Sequence, residues 1–289
     1  MKKYAIYSAC IGEYDHILQP LVIHEEFDYI IYSDTIQEDK VGIWEIRRAD
    51  FHHPDKTRIA RWYKTHPELL VKDYEFSIWM DANIQIQTMA FYQRAIELYE
   101  SHVMISSMWH HERDCIYDEA ATVTFKNLDS ERTILDWENK LHNEKYPPHH
   151  GLFESNVIYR IHNHPEIIRL EHLWWSCIND YSRRDQLSFN YALWKLNVEC
   201  PFYLHTGKNT RNSDCVKWMP HHLSGNRHLE VTLSDNRIVT YYKGLYSDSK
   251  KLSHVYQKVS PFRCRHFLAF IVGQIFRFLI HIHRLKAIK

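Results

Sequence analysis

The feature that most constrains the fold of this chain is a series of short apolar runs, rich in aromatic and β-branched residues. Five such runs are readable, at 4–11, 27–33, 43–47, 75–80 and 103–109. Short, continuously apolar runs of this kind are typical of strands that are buried on both faces of a parallel sheet. Three of the runs stop at Gly12, Asp34 and Asp81. Because ligands bind at the carboxyl ends of strands in such sheets, we expect these three residues to share one functional edge.

Helical patterns separate the apolar runs. They cover 57–71, 129–143, 165–179 and 185–196, and a further strand, with the sequence VIYRI, follows the loop 146–156. Pro67 lies inside the first pattern and must start a new turn or break the helix. Asp129 or Ser130 caps the second. Strands that alternate with helices predict an α/β fold with a mostly parallel central sheet flanked by helices.

Composition limits the class of protein. The 289-residue chain carries 36 Lys and Arg against 36 Asp and Glu, which argues against a nucleic-acid binder, since such proteins usually show a basic excess. A composition shift at about 247–261 divides the chain into a predicted domain, 1–245, and an appendage, 246–289. The six cysteines form no Cys-x-x-Cys pair, and we interpret them as reduced thiols of a cytoplasmic protein.

A candidate metal motif follows the apolar strand 75–80. Asp81 and Asn83 stand one residue apart in the sequence Asp-Ala-Asn. Two oxygen ligands so placed can hold Mg²⁺ or Mn²⁺, and the ion in turn binds a diphosphate. The motif alone is equally consistent with an Asx turn that closes the strand.

A candidate anion-binding face lies upstream of this motif. Arg58, Arg61 and Lys64 recur at i, i+3 spacing and therefore share one face of the predicted helix. Cations beside a metal–diphosphate site would neutralise the charge of a leaving group. A solvated basic helix surface explains the same spacing, but the tandem arrangement with the Asp-Ala-Asn motif favours the site.

The order of several motifs along the chain resembles the DUF616 family of glycosyltransferase-like proteins, which is distantly similar to family-8 glycosyltransferases. The matching segments are YSACIGEYD (7–15), YIIYSD (29–34), ARWYKTHPELL (60–70), WMDANI (79–84), HHERDCIYDEA (110–120), GLFESNVIYR (151–160) and SRRDQLSFNYALWK (182–195). The resemblance implies a GT-A-like domain that binds a nucleotide sugar, with UDP-sugars favoured. The chain departs from the usual DxD motif at Asn83, whose neutral amide lowers metal affinity and leaves strict dependence on Mn²⁺ or Mg²⁺ open.

The resemblance also implies roles for individual residues. Those implied to bind the nucleotide sugar are Cys10, Gly12, Tyr14, Asp34, Arg58, Arg61 and Arg184. Those implied to hold the metal are Asp81, Asn83 and His205, although His221 and His222 compete with His205. Asp185 and Gln186 are implied to be catalytic. In an inverting enzyme Asp185 would be the general base, and in a retaining enzyme either residue would stabilise an oxocarbenium ion. Favourable electrostatics at a helix N-terminus would also explain Asp185.

The resemblance further suggests that His110, Glu112 and Arg113 form a wall of the donor or acceptor site. Glu154 and Asn156 are interpreted as contacts to the acceptor or the donor sugar, because carboxylate and amide side chains are the usual partners of sugar hydroxyl groups. The segment His-His-Glu-Arg-Asp lacks the second histidine of the HExxH motif, which argues against a zinc hydrolase. A salt-bridged loop is the alternative for this segment, and a plain loop is the alternative for Glu154 and Asn156.

The C-terminal run 262–285 is amphipathic. On a helical wheel Arg263, Arg277 and Arg284 fall in a narrow polar arc, and apolar residues occupy most of the remainder. This pattern predicts a helix that lies in the lipid interface. Docking of the helix onto the domain or onto a dimer partner is the alternative.

Together these features predict a hexosyltransferase-like enzyme that moves a sugar from a nucleotide-sugar donor to a glycan or lipid-linked glycan acceptor. The expected setting is surface polysaccharide synthesis, in the cytoplasm and peripheral to the inner face of the membrane. Two alternatives remain open: a membrane-associated hydrolase of lipid or glycoconjugate, and a non-catalytic sugar-binding module.

Overall fold

The computed structural model describes residues 3–12, 14–204 and 207–219. The predictions made for His205 and for 262–285, and the domain boundary near 245, lie outside these residues. The strands are β1 (Tyr4–Cys10), β2 (Phe27–Ser33), β3 (Lys40–Val41), β4 (Trp44–Arg48), β5 (Phe76–Met80), β6 (Ile84–Ile86), β7 (Ile105–Trp109), β8 (Phe153–Arg160) and β9 (Val216–Trp218). The helices are α1 (Lys56–Thr65), α2 (Pro67–Leu70), α3 (Ala90–Glu100), α4 (Ile116–Phe125), α5 (Glu131–Asn143), α6 (Pro165–Asp180) and α7 (Gln186–Leu196).

The central sheet has the strand order β3-β4-β2-β1-β5-β8-β7. Strand β1 pairs in parallel with β2 and β5, and β2 pairs in parallel with β4. Strand β8 is antiparallel to both β5 and β7, so β7 runs in the same direction as β5. Only β3 and β8 therefore oppose the other strands of this sheet, which confirms the predicted mostly parallel α/β fold. The carboxyl ends of β1, β2, β5 and β7 meet the amino end of β8 at one edge, the site edge.

Alternating side chains of the central strands fill a core on each face of the sheet. In β1, Tyr4 and Ile6 pack on the face covered by α3, and Ala5 and Tyr7 pack on the face covered by α1, α6 and α7. A third apolar cluster joins α4 and α5 to α7. Burial of both faces explains why the strands read as continuous apolar runs rather than as an alternation.

Local capping sets the helix boundaries. Asp55 caps α1, since its carboxylate accepts a hydrogen bond from the Thr57 N–H at 2.9 Å. Helix α1 ends at Thr65 because Pro67 opens α2, which confirms the predicted break. Of the two candidate caps of α5, Ser130 is used: its hydroxyl accepts from the Thr133 N–H at 3.1 Å. Within the described part of the chain, no helix is both long and apolar enough to cross a bilayer.

Candidate active site

A buried ionic cluster lies at the site edge, where α1, β5, β8 and α7 converge. Asp185, the residue before α7, is only 2% exposed. Its Oδ2 accepts from Lys64 Nζ at 2.6 Å and from the Ser155 hydroxyl at 2.7 Å. Its Oδ1 lies 3.0 Å from Arg61 Nε as an ion pair, without the alignment of a hydrogen bond. We call Arg61, Lys64, Asp81, Ser155 and Asp185 the Asp185 cluster.

Lys64 bridges the two carboxylates of this cluster. Its side chain is fully buried, and Nζ also lies 3.4 Å from Asp81 Oδ1. The ammonium stands 5.5 Å and 5.9 Å from the ring centroids of Trp79 and Trp174. Burial lowers the pKa of Lys64, and the carboxylates of Asp185 and Asp81 oppose that shift. Helical spacing predicts that Lys64 shares one face of α1 with Arg58 and Arg61. It gives Lys64 only the shared role of neutralising charge, not the bridging position between two carboxylates.

The Asp185 carboxyl is held in its ionised form. Burial alone would raise its pKa, but the charges of Arg61 and Lys64 outweigh burial and hold the pKa well below its usual range. Arg184, half-buried beside it, acts in the same direction. Within the cluster, Arg61 and Lys64 face two carboxylates, Asp81 and Asp185, so its formal charge is 2 − 2 = 0. Arg184, outside the cluster, adds positive charge beside it, which favours an anion such as a diphosphate.

Asp185 is not a helix cap in the hydrogen-bonding sense. Its side chain makes no capping bond to α7, and its oxygens point to the cations of α1 instead. The next residue, Gln186, opens α7 and is half-buried. A carboxylate that only stabilised a helix N-terminus would not need these contacts. That alternative therefore does not explain why Arg61, Lys64 and Ser155 surround Asp185.

Arg58 shares the predicted face of α1 but is directed elsewhere. Its guanidinium donates to the Asp55 carboxylate at 2.9 Å and to the carbonyls of Ile178 and Tyr181 at 3.0 Å and 2.7 Å. These bonds tie the start of α1 to the C-terminal end of α6. These bonds use three of the five N–H donors of Arg58, whereas Arg61 is 17% exposed and pairs with Asp185 inside the cluster.

Asp81 follows β5. Its side chain is 23% exposed, which makes it the more exposed of the two carboxylates in the Asp185 cluster. Its Oδ1 accepts from the Trp79 indole N–H at 2.7 Å as well as from Lys64. Its backbone N–H donates to the Asn156 carbonyl at 2.8 Å, which joins β5 to β8 at the site edge. The carboxylate is thus fixed on one side and partly open on the other.

Asn83 is buried and bound to the segment after β9. Its Nδ2 donates to the Met219 carbonyl at 2.8 Å, and the Met219 N–H donates back to the Asn83 carbonyl at 2.9 Å. A carboxylate could not make the first bond, which gives a physical reason for Asn rather than Asp here. This bond directs the amide nitrogen to Met219 and leaves Oδ1 on the other side of the amide. In the described chain, Asp81 belongs to no group of three His, Cys, Asp or Glu ligands.

A bulge of three residues in β8 shapes the site edge. Ser107 of β7 pairs with Ile158, but the next residue, Met108, pairs with Glu154, so residues 155–157 are extra. The Ser107 hydroxyl lies within hydrogen-bond distance of two carbonyl oxygens of the bulge, those of Glu154 at 2.8 Å and Val157 at 2.9 Å. Bulges re-aim side chains and are frequent beside active sites. This one turns Ser155 towards the Asp185 cluster.

The residues on either side of Ser155 build a second polar cluster. Glu154 is 1% exposed, and its Oε1 contacts His111 Nδ1 at 2.8 Å and also the Arg211 guanidinium. Its Oε2 accepts from the Thr210 hydroxyl at 3.0 Å and from Asn156 Nδ2 at 3.2 Å. We call these five residues the Glu154 cluster. Burial would raise the pKa of Glu154, but His111 and Arg211 lower it, so the carboxylate is ionised.

The loops after β1 and β2 meet as the sequence predicts. The Gly12 N–H donates to Asp34 Oδ1 at 2.8 Å, and Gly12 adopts a φ of +65°, which favours glycine. The Cys10 side chain is buried, and its thiol donates to the Asp15 carbonyl at 3.3 Å. Tyr14 is half-buried. Burial would lower the pKa of Arg61, but Asp185, Asp81 and, to a smaller extent, Tyr14 raise it.

The segment after β7 pairs largely with itself. His110 is buried, and its Nδ1 accepts from the N–H groups of Glu112 and Arg113 at 3.2 Å and 3.0 Å. The Arg113 guanidinium donates to Glu112 at 2.8 Å and to Glu119 at 2.6 Å. This arrangement is that of a salt-bridged loop. The residue of this segment that reaches the Glu154 cluster is His111, which sequence reasoning did not select.

The sequence of the chain matches a known protein family. The profile described as "TOD1/MUCI70, glycosyltransferase-like domain" matches residues 3–221, more than half of the 289-residue chain. The chain belongs to this family. It is the DUF616 family that the motifs resemble, so that prediction is confirmed. Both the Asp185 cluster and the Glu154 cluster lie within the TOD1/MUCI70 domain.

Among solved structures, the apo form of the bifunctional glycosyltransferase WbbM is similar at 10% sequence identity and a TM-score of 0.38. The match covers 70% of this chain and 38% of WbbM, so this chain spans well under half the length of that protein. A comparison with curated proteins finds no match.

Proposed function

We propose that this TOD1/MUCI70 domain transfers a sugar from a nucleotide-sugar donor, a UDP-sugar in the first instance, to a glycan or lipid-linked glycan acceptor. The observation that carries the proposal is the buried Lys64 ammonium between Asp81 and Asp185, with Arg61 beside it. Fixed cations in a water-poor site act on charge that develops in a transition state without reorganisation. The leaving group of a UDP-sugar is a nucleoside diphosphate, whose charge such cations would stabilise.

The low pKa of Asp185 supports one of its two expected roles. A general base is most effective when its pKa lies near the working pH. The pKa of Asp185 lies well below its usual range because of Arg61 and Lys64. Asp185 therefore suits the role of an ionised carboxylate that positions the two cations and stabilises positive charge on the sugar, rather than that of a proton acceptor.

Asp81 is the group we assign to the donor side of the site. It is the cluster's most exposed carboxylate. Together with the amide oxygen of Asn83, it would hold Mn²⁺ or Mg²⁺, with His205 as the expected third ligand. Such an ion supplies Lewis acidity to the diphosphate. Arg61 and Lys64 already supply positive charge beside the same carboxylate, so we expect the metal to strengthen turnover rather than to be its only source of charge stabilisation.

The Glu154 cluster is the proposed contact for sugar hydroxyl groups. Its ionised Glu154 carboxylate, the Asn156 amide and the Thr210 hydroxyl are ordinary partners of hydroxyl groups. Asn156 is half-buried, and its Oδ1 is a buried atom without a hydrogen-bond partner in the described part of the chain. That oxygen could accept from a sugar hydroxyl group only after neighbouring side chains move.

The test is donor turnover by the full-length protein. UDP-, GDP- and CMP-sugars are first compared by thermal shift with Mn²⁺, with Mg²⁺ and with a chelator, and the best donor is then assayed for transfer or hydrolysis. We expect Asp81→Asn to lower turnover at least about 100-fold, the scale of a lost transition-state contact. The matched control is Asp136→Asn, an exposed aspartate of α5. Equal turnover by Asp81→Asn and Asp136→Asn at saturating donor would remove Asp81 from the site.

A further inference from the structure

A second group of ligand-type side chains lies where α1 gives way to α2 and shares no residue with either cluster described above. It consists of His66, Glu68 and His172. His66 lies between α1 and α2, Glu68 lies in the first turn of α2, and His172 lies on α6. One ligand atom from each residue lies within 4.8 Å of the other two.

His66 is held in the form that a metal ligand requires. Its Nδ1 lies 2.9 Å from the Trp62 carbonyl oxygen, and because a carbonyl only accepts, Nδ1 carries the proton. The lone pair is therefore on Nε2. The ring also stacks on the Trp62 side chain, with centroids 4.6 Å apart, which fixes its orientation. Metal-bound histidines commonly donate their other ring N–H to a carbonyl or carboxylate in this way.

Glu68 carries an unsatisfied oxygen at the same place. Its side chain is only 9% exposed, and Oε2 has no hydrogen-bond partner in the described part of the chain. Its other oxygen, Oε1, lies 3.3 Å from His172 Nε2. A buried carboxylate oxygen without a partner is costly, and a bound cation would satisfy it.

The spacing of these atoms fits a small transition-metal ion. Nitrogen and oxygen ligands about 2.0–2.1 Å from a tetrahedral Zn²⁺ ion are about 3.4 Å apart. His172 Nε2 and Glu68 Oε1 lie 3.3 Å apart, which is close to that separation. The His172 side chain is 58% exposed, so a small rotation of its ring can close the remaining gap to His66.

We propose that His66 Nε2, Glu68 and His172 Nε2 form a binding site for a divalent transition-metal ion of the zinc class, with a fourth position open to water. Two imidazoles and one carboxylate suit Zn²⁺ over Mg²⁺, Ca²⁺ or Mn²⁺, which prefer oxygen ligands. The ion would join the α1–α2 junction to α6. Because α1 also carries Arg61 and Lys64, a metal here would brace the helix that supplies the cations of the Asp185 cluster.

The experiment measures metal binding by the full-length protein, freed of metal by chelator and desalting. Zn²⁺ affinity is measured by calorimetry, and Co²⁺ is used as a spectroscopic probe, since a tetrahedral site with nitrogen ligands gives a visible d–d band. Losing a group that only orients a metal ligand costs about 10–100-fold in affinity. His172→Gln, which removes a ligand, should therefore weaken Zn²⁺ binding at least about 100-fold and abolish the Co²⁺ band.

The control variant is His142→Gln, which changes an exposed helical histidine of α5. It should bind Zn²⁺ as the wild type does, and Zn²⁺ should raise the melting temperature of both but not of His172→Gln. Glu68→Gln provides a second loss-of-ligand variant. The proposal is overturned if the wild type binds no Zn²⁺ or if His172→Gln and His142→Gln bind it equally.

Discussion

Replacement of Lys64 by methionine tests the arrangement of the Asp185 cluster most directly. Methionine preserves the length of the apolar stem but removes the ammonium, which lies 2.6 Å from Asp185 Oδ2 and is fully buried. Removal of one partner from a buried ion pair costs about 3–5 kcal/mol, because the other charge stays buried without compensation. Arg61 and Ser155 remain in contact with Asp185, so we expect the lower end, about 3 kcal/mol. For a domain of this size that is about 6–12 °C in melting temperature.

The assay is urea denaturation at neutral pH together with a thermal scan. Lys72→Met is the control, since that lysine is exposed. The double variant Lys64→Met with Asp185→Asn should regain at least half of the lost free energy of unfolding, because both charges are then absent. If Lys64→Met costs no more than Lys72→Met, or if the double variant is the sum of the two single variants, the buried charge pair is not what stabilises this site.

Further outcomes follow from other residues. Asp185→Asn should lower turnover at least about 100-fold with donor affinity nearly unchanged; a lower melting temperature with unchanged kcat would show a purely structural role. Burial lowers the pKa of His110 from 6.5 to about 4, so between these two pH values the unfolded chain binds a proton that the folded chain does not. The free energy of unfolding should therefore fall as the pH drops from 6.5 towards 4. His110→Asn should make the unfolding midpoint less dependent on pH over this range. An unchanged slope would show that His110 is not the group that titrates there. Asn83→Asp should keep or tighten Mn²⁺ binding but lower the melting temperature of the metal-free protein, since it cannot donate to Met219; an unchanged melting temperature would argue against that bond. Truncation after about Ser260 should release the protein from anionic liposomes in a flotation assay without loss of transfer to a soluble acceptor, and equal flotation would refute the membrane helix.

The sequence predicts the site edge well because the central strands are buried on both faces. Continuous apolar runs locate β1, β2 and β5, and parallel pairing then brings Gly12, Asp34 and Asp81 to the same edge. These are local signals that one rule of sheet topology converts into proximity. Helices α3 and α4 and the small pair β6–β9 were not predicted, since no apolar run or cap marked them clearly.

Contacts between distant residues set the limit of the sequence reading. The Lys64–Asp185 bond joins residues 121 positions apart, and the periodicity of neither segment predicts that they pair. Helical spacing places Arg58 and Arg61 on the same face of α1, but it cannot show that the carbonyls at the end of α6 take up the Arg58 guanidinium. The bulge in β8 could not be predicted from the sequence either, because it depends on how β8 pairs with β7.

The bulge at 155–157 has a consequence for how this protein can be altered. Three consecutive residues at its start, 154–156, serve two clusters, since Ser155 contacts Asp185 while Glu154 and Asn156 bind Thr210. Side chains of an extended strand alternate between faces, so a one-residue deletion here would exchange the two sets of contacts at once. Evolution and protein engineering alike therefore have little freedom to change one cluster through β8 without disturbing the other. Variation in what is bound is more easily introduced through residues outside the strand, such as His111 and Arg211, which reach Glu154 from separate loops.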